Sequence, residues 1–166
     1  MFCNTVIITN MLVQLEGRSF DTPEEERWLR EAGVCLSHRH GAAADQLSWI
    51  EHTFRRIWAD EASHGWNWFA AGDRMQLVGF TTYEQREHCW WWLTHWLAQP
   101  DVGIFGPMGV HRSMRGKHVG AILLRRALDS MRRLGLRRAV IPAVGPIGFY
   151  ERWCGATVVE RLRKPN

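Results

Sequence analysis

The chain has 166 residues, of which 46% are hydrophobic, and this suits one domain with a sizeable buried core. Its formal net charge of +4 permits an anionic ligand or nucleic acid but indicates neither. The apolar N-terminal stretch is too short and too polar for a membrane span, and four scattered cysteines without a C-x-x-C spacing indicate reduced thiols in a cytoplasmic protein.

The first 33 residues are predicted to be an extension made of one strand and one helix. The helix should begin at Thr22, which can cap it, with Pro23 at the first helical position and Glu25 completing a capping box. Gly33 should end it. A domain over residues 34–166 follows.

The first part of this domain reads as a strand, a long helix and a hairpin of two strands. The predicted ranges are 34–39 for the strand, 43–63 for the helix, and 66–72 and 75–83 for the hairpin. The helix is amphipathic because its apolar residues fall on one face, namely Leu47, Ile50, Phe54, Ile57 and Trp58.

Residues 84–101 are rich in tryptophan and are predicted to be an aromatic insertion. A helix ending at Pro100 is favoured, with four residues on one side (Trp92, Leu93, Trp96 and Leu97), although aromatic residues suit a strand as well. The tryptophans have three interpretations: a core plug or homodimer interface, a lid over an apolar substrate, or a stacking surface for single-stranded nucleic acid.

The second half alternates strands and helices. Strands are predicted at 102–110, 137–143 and 156–162, and helices at 118–134 and 146–155. The first of these strands contains three glycines and a proline, which indicates a bulge or the close approach of a ligand to the backbone. The expected fold class is α/β (α+β).

The stretch MRGKHVG, residues 114–120, joins a strand to the start of a helix. The free N–H groups there would face outward at the positive end of the helix dipole, which favours a phosphate or pyrophosphate. Arg115 and Lys117 add positive charge. His118 stands between Gly116 and Gly120, and a non-glycine residue is expected to fit there if its φ is negative.

These segments resemble the GNAT superfamily of acyl-CoA-dependent N-acyltransferases. The positions of the family pattern [QR]-x-x-G-x-[GA] are occupied by Arg115-Gly116-Lys117-His118-Val119-Gly120, which departs from it at His118, where the family has its middle glycine. The sequence FYERWCGA at 149–156 matches a second family pattern, although Ala143 stands where the family has Asn. More narrowly, the segment resembles an uncharacterised bacterial group with GP-x-GV before the loop and GP…FYE after it.

The resemblance implies a mixed, mostly antiparallel sheet with splayed central strands and helices on both faces. It implies acetyl-CoA as co-substrate, with its pyrophosphate on the backbone of 115–120 and its pantetheine arm along the strand 104–110. The expected CoA-binding residues are Met108, Gly109, Val110, Arg115, Gly116, Lys117, His118, Val119, Gly120, Ala121 and Phe149. Tyr150 is expected to protonate the leaving thiolate, because a phenol stays protonated at neutral pH.

The general base is left open by the sequence. Glu84 and His111 are candidates on position, as are Glu61 and His88, and a chain of water molecules would serve equally well. No metal site is predicted. The acceptor is expected to be a small-molecule or peptide amine, with no membrane partner.

The alternative function is a nucleic-acid or protein-interaction module with a vestigial CoA site. It would use the arginine-rich helix, which carries Arg125, Arg126, Arg132 and Arg133, together with the tryptophans. Nucleic acid is not the expected partner, because an arginine run of this kind is usually a solvated face.

Overall fold

The computed structural model describes residues 6–86 and 90–164 and contains a seven-stranded sheet with helices on both faces. The strands in chain order are β1 (Ile7–Gln14), β2 (Cys35–His40), β3 (Trp66–Ala71), β4 (Leu77–Tyr83), β5 (Val102–Val110), β6 (Arg138–Ile141) and β7 (Thr157–Arg163). The helices are α1 (Glu25–Ala32), α2 (Ala44–Thr53), α3 (Arg56–His64), α4 (Thr94–Leu97), α5 (Val119–Arg133) and α6 (Ile147–Cys154). Within these two ranges, no helix has the length and apolar character needed to cross a membrane.

The strands lie in the order β2-β3-β4-β5-β6-β1-β7. Neighbouring strands are antiparallel except for β5 and β6, which are parallel. The sheet is therefore mixed and mostly antiparallel, and the predicted fold class is confirmed.

The parallel pair at the centre of the sheet is short. β5 and β6 are in register only from Val102, opposite Arg138, to Ile104, opposite Val140. β5 then continues along β4 as far as Val110, which lies opposite Gly79. The two strands thus diverge after Ile104, which is the predicted splay. Among residues 6–86 and 90–164, no strand pairs with the edge of β5 that this fork opens.

β5 also carries the predicted bulge. Phe105 lies opposite Tyr83 and Met108 lies opposite Thr81, so the extra residue falls at the Gly106-Pro107 step. Gly106 has a φ of 108°, a conformation that side chains with a Cβ rarely adopt.

β1 is an interior strand, placed between β6 and β7. Its inward residues Met11 and Val13, and Leu15 just beyond its end, are fully buried in the same core as Leu124 of α5. The strand of the predicted N-terminal extension is therefore part of the domain's own sheet and hydrophobic core.

The helices form two layers. α5 and α6 cover one face, where Leu124 and Tyr150 pack against Phe105 and Met11. α2 and α3 cover β3 and β4 on the other face, where Ile50 and Ala62 join a second core with Phe69 and Phe80. A chain segment that includes α4 continues this second layer over β5, β6 and β1.

Two helix predictions are wrong in detail. The helix predicted at 43–63 is broken at Arg55, which is extended, and the break lets the Phe54 ring rest on Gly109. Ile57, assigned to the buried face, is consequently 39% exposed. At α1, Thr22 makes no capping hydrogen bond through its side chain, and Glu24 occupies the N-cap position instead. The predicted end at Gly33 is confirmed by its φ of 65°.

The long helix predicted within 84–101 is also wrong. The described part contains a short 3-10 turn at Trp91–Leu93 followed by the single turn of α4, while residues 87–89, which include His88, lie outside the described residues. The apolar side chains behave as predicted, because Trp92, Leu93, Trp96 and Leu97 pack together over the sheet. Trp90 packs against the same cluster.

Candidate active site

A cleft of about 770 Å³ opens between β5, α6 and the N-terminus of α5. Most of the predicted CoA-binding residues line it: Met108, Gly109, Val110, Arg115, Gly116, His118, Val119, Gly120, Ala121 and Phe149. Lys117 is exposed beside the cleft and is not among the lining residues. The fork between β5 and β6 and the start of α5 therefore contribute to one continuous site.

At the start of α5, the cleft is lined by residues whose backbone N–H groups precede the first hydrogen bond of the helix. The first hydrogen bond inside the helix runs from the Ile122 N–H to the His118 carbonyl at 3.0 Å, so the N–H groups just before it have no acceptor within the helix. The N–H of Arg115 is already donated to Arg112 at 3.4 Å. The N-terminus of a 15-residue helix beside exposed Arg115 can hold an anion such as a pyrophosphate.

The backbone φ of His118 has the opposite sign to the one expected from the sequence. The sequence argument required a negative φ, but His118 has a φ of 64° and occupies the left-handed N-cap of α5. The imidazole is held by two tryptophans: it stacks on Trp28 with centroids 4.0 Å apart and meets Trp153 edge-on at 5.7 Å. These ring contacts offset the strain that a side chain causes in this conformation.

Beyond the fork, β5 presents its backbone and three residues to the cleft. Met108 and Val110 point toward α5, and Gly109 faces Phe54 on the opposite side of the sheet. A Cβ at position 109 would lie 2.6 Å from the Phe54 ring, so a side chain there would displace the ring. The free edge of β5 suits an extended ligand arm that pairs with a strand.

Tyr150 is not among the residues that line the cleft; it is buried in the core beside Phe149, next to the fork. Its ring meets Phe105 of β5 edge-on at 6.1 Å and Phe149, which lines the cleft, at 5.2 Å. Burial raises the pKa of Tyr150, and neighbouring Cys154 adds to the rise, so the phenol remains a proton donor at neutral pH.

Two of the base candidates that the sequence offered on position alone are engaged elsewhere. Glu84 accepts the Ile104 N–H at 2.9 Å and the Arg86 guanidinium at 2.7 Å, and it does not line the cleft. His111 accepts the Ser113 N–H at 3.2 Å and caps the turn that follows β5. Both side chains hold the backbone in place, and neither faces the cleft.

Glu61 is in a different situation. It is 8% exposed on α3, and the Trp90 indole N–H donates to its carboxylate at 3.3 Å. Burial raises its pKa to about 7; the hydrogen bond from Trp90 opposes the rise and Asp60 adds to it. This carboxylate therefore titrates near neutral pH.

Cys154 has no features of a nucleophile. Its thiol donates to the Tyr150 carbonyl at 3.1 Å, and burial raises its pKa to about 11. Cys35 is exposed on the edge strand β2, away from the cleft. Within 6–86 and 90–164, no cluster of three His, Cys, Asp or Glu residues forms a metal site.

Several lining residues escaped the sequence analysis. Phe54 and Trp58 were predicted only to lie on the apolar face of a helix, but both reach the cleft, as do Met114, Pro146, Arg152 and Trp153. The supporting role of Trp28 was also missed. The available signal was a single tryptophan among charged residues, in ERWLRE for Trp28 and ERWCG for Trp153.

Sequence comparison agrees with this geometry. The profile of the acetyltransferase (GNAT) family matches residues 19–156, which include α1 and the whole cleft. Comparison with individual curated proteins gives no match.

Comparison with solved structures finds the same fold at low sequence identity. The GCN5-related glucosamine N-acetyltransferase region of a fungal multi-domain protein has a TM-score of 0.72 at 12% identity, covering 95% of this chain and 20% of that one. A tandem GNAT protein from the clavulanic acid pathway has a TM-score of 0.67 at 15% identity, covering 95% and 52%. YhbS of Escherichia coli, solved with CoA, has a TM-score of 0.53 at 17% identity, covering 72% and 67%. The chain thus spans about a fifth and a half of the first two proteins.

Proposed function

The chain belongs to the acetyltransferase (GNAT) family, and on this premise we propose that it moves an acetyl group from acetyl-CoA to a primary amine. The observation that carries the proposal is the continuity of the cleft, which joins the anion-binding start of α5 to the fork between β5 and β6. The fold neighbour from Escherichia coli was solved with CoA, which supports the same class of ligand here.

In this proposal, each part of the cleft binds one part of acetyl-CoA. The N–H groups of residues 116–120 hold the pyrophosphate, with Arg115 and Lys117 supplying positive charge around it. Met108, Gly109 and Val110 of β5 pair with the pantetheine arm along the free strand edge. Val119, Ala121 and Phe149 form the apolar wall.

The chemistry is direct attack of the amine on the thioester, without an acyl-enzyme. Tyr150 donates its proton to the departing thiolate, because its raised pKa keeps the phenol protonated. The raised pKa of the Cys154 thiol argues against a covalent route through this cysteine.

Isothermal titration with acetyl-CoA tests the binding half of the proposal. Gly120→Glu places a carboxylate beside the pyrophosphate and should weaken binding at least about 100-fold, since the like charges lie in a partly enclosed site. Gly120→Ala is the matched control, because its Cβ would lie at an ordinary 3.5 Å from Val110 and adds no charge. Absence of binding by the wild type at millimolar acetyl-CoA would refute the enzyme proposal.

Tyr150→Phe tests the catalytic half. The variant should lower the rate of CoA release about 100-fold while leaving acetyl-CoA affinity within a few fold, because general acid catalysis contributes roughly that factor. Unchanged turnover would remove Tyr150 from the mechanism.

A further inference from the structure

A second cavity, of about 320 Å³, lies between the strands β2, β3 and β4 and the second half of α5. None of its lining residues lines the cleft described above. Ser130 of this cavity is about 15 Å along the axis of α5 from Gly120 of the cleft, given the rise of an α-helix. The volume is within the range of small-molecule sites, and the proposed acetyl transfer leaves the cavity unused.

The strands supply an aromatic wall to this cavity. Trp66 and Trp68 are two positions apart on β3 and therefore point to the same face of the sheet. His38 of β2 lies opposite Trp68, and Tyr83 of β4 lies opposite Trp66. The His38 ring stacks on both tryptophans, with centroids 5.2 Å from Trp66 and 4.4 Å from Trp68. Trp66 is 36% exposed, so the wall remains open to a ligand at its outer end.

The wall carries no charge at neutral pH. The Tyr83 hydroxyl and the His38 Nε2 atom are hydrogen-bonded at 2.8 Å. Burial lowers the pKa of His38 and raises the pKa of Tyr83, so both side chains stay neutral. The charge of the cavity is therefore set by the helix that faces the wall.

The side of α5 that faces the wall is polar. Its residues recur at three- and four-residue spacing, which places them on one face of the helix: Arg126, Asp129, Ser130 and Arg133. Ser130 accepts the indole N–H of Trp68 at 3.1 Å and so ties the helix to the wall. The Arg126 guanidinium lies 5.2 Å from the centre of the Trp68 ring.

Two guanidiniums lining the cavity keep unused donors. Arg126 pairs with Glu25 through its Nε atom at 2.6 Å, and Arg133 pairs with Asp129 through its Nε atom at 2.8 Å. Within 6–86 and 90–164, the terminal nitrogens of Arg126 and Arg133 have no hydrogen-bond acceptor. Guanidinium N–H groups suit the planar geometry of a carboxylate.

The same side chains disfavour a cationic ligand. Asp129 is the acidic residue of the lining, and its two oxygens already contact Arg132 and Arg133, each at 2.8 Å. Arg126 occupies the position next to Trp68 in which a ligand cation would make a cation–π contact. The cavity thus combines a neutral aromatic wall with a positively charged rim.

We propose that this cavity binds a small planar aromatic carboxylate, with its ring against Trp66 and His38 and its carboxylate between Arg126 and Arg133. Aromatic rings stack favourably on one another, and a charge-assisted hydrogen bond to a guanidinium is roughly twice as strong as a neutral one. The site is separate from the cleft, and the proposal does not depend on the acetyl transfer proposed above.

Isothermal titration with three indole compounds tests the ligand class. Indole-3-acetate should bind at least about tenfold more tightly than indole-3-acetamide, which keeps the ring but has no charge to pair with the guanidiniums. Tryptamine, which carries a positive charge, should bind more weakly than either. No binding of indole-3-acetate at millimolar concentration would overturn the proposal, as would equal affinities for the acetate and the acetamide.

Two arginine variants test the location of the carboxylate. Arg133→Gln should weaken indole-3-acetate binding at least about fivefold, because it removes one of the two guanidiniums. Arg132→Gln is the matched control, since Arg132 also pairs with Asp129 but does not line the cavity, and it should bind within about twofold of wild type. Equal losses in both variants would show a general effect of charge and contradict the assigned position.

Variants at Trp66 test the position of the ring. Trp66→Ala should weaken indole-3-acetate binding several fold, whereas Trp66→Phe, which keeps an aromatic ring, should restore most of the affinity. Thermal melting of both variants checks that they are folded, and Trp66 is exposed enough to be replaced without opening the core. Binding that is unchanged in a folded Trp66→Ala variant would refute the assigned wall.

A last titration separates this cavity from the cleft. Indole-3-acetate should bind with unchanged affinity to wild type saturated with CoA and to Gly120→Glu, because both changes act at the other end of α5. Competition with CoA, or loss of binding in Gly120→Glu, would place the acid in the cleft and overturn the proposal. If the wild type failed to bind acetyl-CoA while indole-3-acetate still bound, the proposed function would fail and this inference would stand.

Discussion

The left-handed conformation of His118 at the start of α5 gives a quantitative test of how the anion loop is held. A residue with a Cβ at a φ of 64° costs about 1–2 kcal/mol relative to glycine. The stack of its ring on Trp28, with centroids 4.0 Å apart, stabilises the folded state by about 0.5–1.5 kcal/mol. These two contributions nearly cancel, so a histidine is tolerated where the family pattern has glycine.

Two substitutions at position 118 separate the backbone strain from the stabilisation by the ring stack. His118→Ala loses the stack and keeps the strain, so the free energy of unfolding should fall by about 0.5–1.5 kcal/mol. His118→Gly loses both, so its free energy of unfolding should stay close to that of the wild type and exceed that of the alanine variant by about 1 kcal/mol. For a domain of this size, the difference in unfolding free energy between the glycine and alanine variants corresponds to roughly 2–4 °C in Tm.

Urea unfolding with a shared m-value is the assay, and Trp28→Ala completes a double-mutant cycle with His118→Ala. The cycle should give a coupling of about 0.5–1.5 kcal/mol. Acetyl-CoA affinity in His118→Gly should remain within a few fold, because the proposed contact uses backbone N–H groups. Equal stability of the alanine and glycine variants, or a coupling of zero, would refute this account of the loop.

Three further outcomes follow from the cleft and its surroundings. Gly109→Ala should lower the free energy of unfolding by about 1–3 kcal/mol, because its Cβ would lie 2.6 Å from the Phe54 ring, whereas Gly120→Ala, with a 3.5 Å contact, should melt near the wild-type temperature. Cys154→Ala should release CoA at a rate within a few fold of wild type, because a thiol with a pKa of about 11 is not a nucleophile at neutral pH; complete loss with retained folding would argue for a covalent route. Glu61 has its pKa raised from 4.5 to about 7 in the folded state, so the folded protein holds a proton that the unfolded chain releases, and stability falls as pH rises through that window. Glu61→Gln should therefore exceed wild type in urea unfolding by about 3 kcal/mol at pH 8 and match it near pH 4; the opposite trend would contradict a raised pKa.

The second half of the chain was predictable because its signals are local. The apolar face of α5, the glycine after α6 and the continuous apolar run of β6 each depend on residues close in sequence. The bulge of β5 was also anticipated from the glycines and proline within it, whereas its splay from β6 was implied by the resemblance to the GNAT family.

The remaining features depend on contacts between distant residues. The break at Arg55 lets the Phe54 ring pack over Gly109. The space for the ring exists because residue 109 of β5 has no side chain, and β5 is distant from Arg55 in the sequence. The stack of His118 on Trp28 joins α1 to the anion loop across 90 positions, and no periodicity encodes it (118 − 28 = 90). The family pattern located the loop, but it could not indicate what holds a histidine there.

The position of β1 has a consequence for how the chain folds. Asn10 of β1 and Glu160 of β7 share a hydrogen bond although they are 150 positions apart in the sequence. β1 is synthesised before the other strands of the sheet. Its apolar side therefore stays exposed until β6 and β7, which flank it, have been synthesised. Folding of this domain should accordingly be slow for its size, because closing so long a loop costs conformational entropy before the strand contacts form.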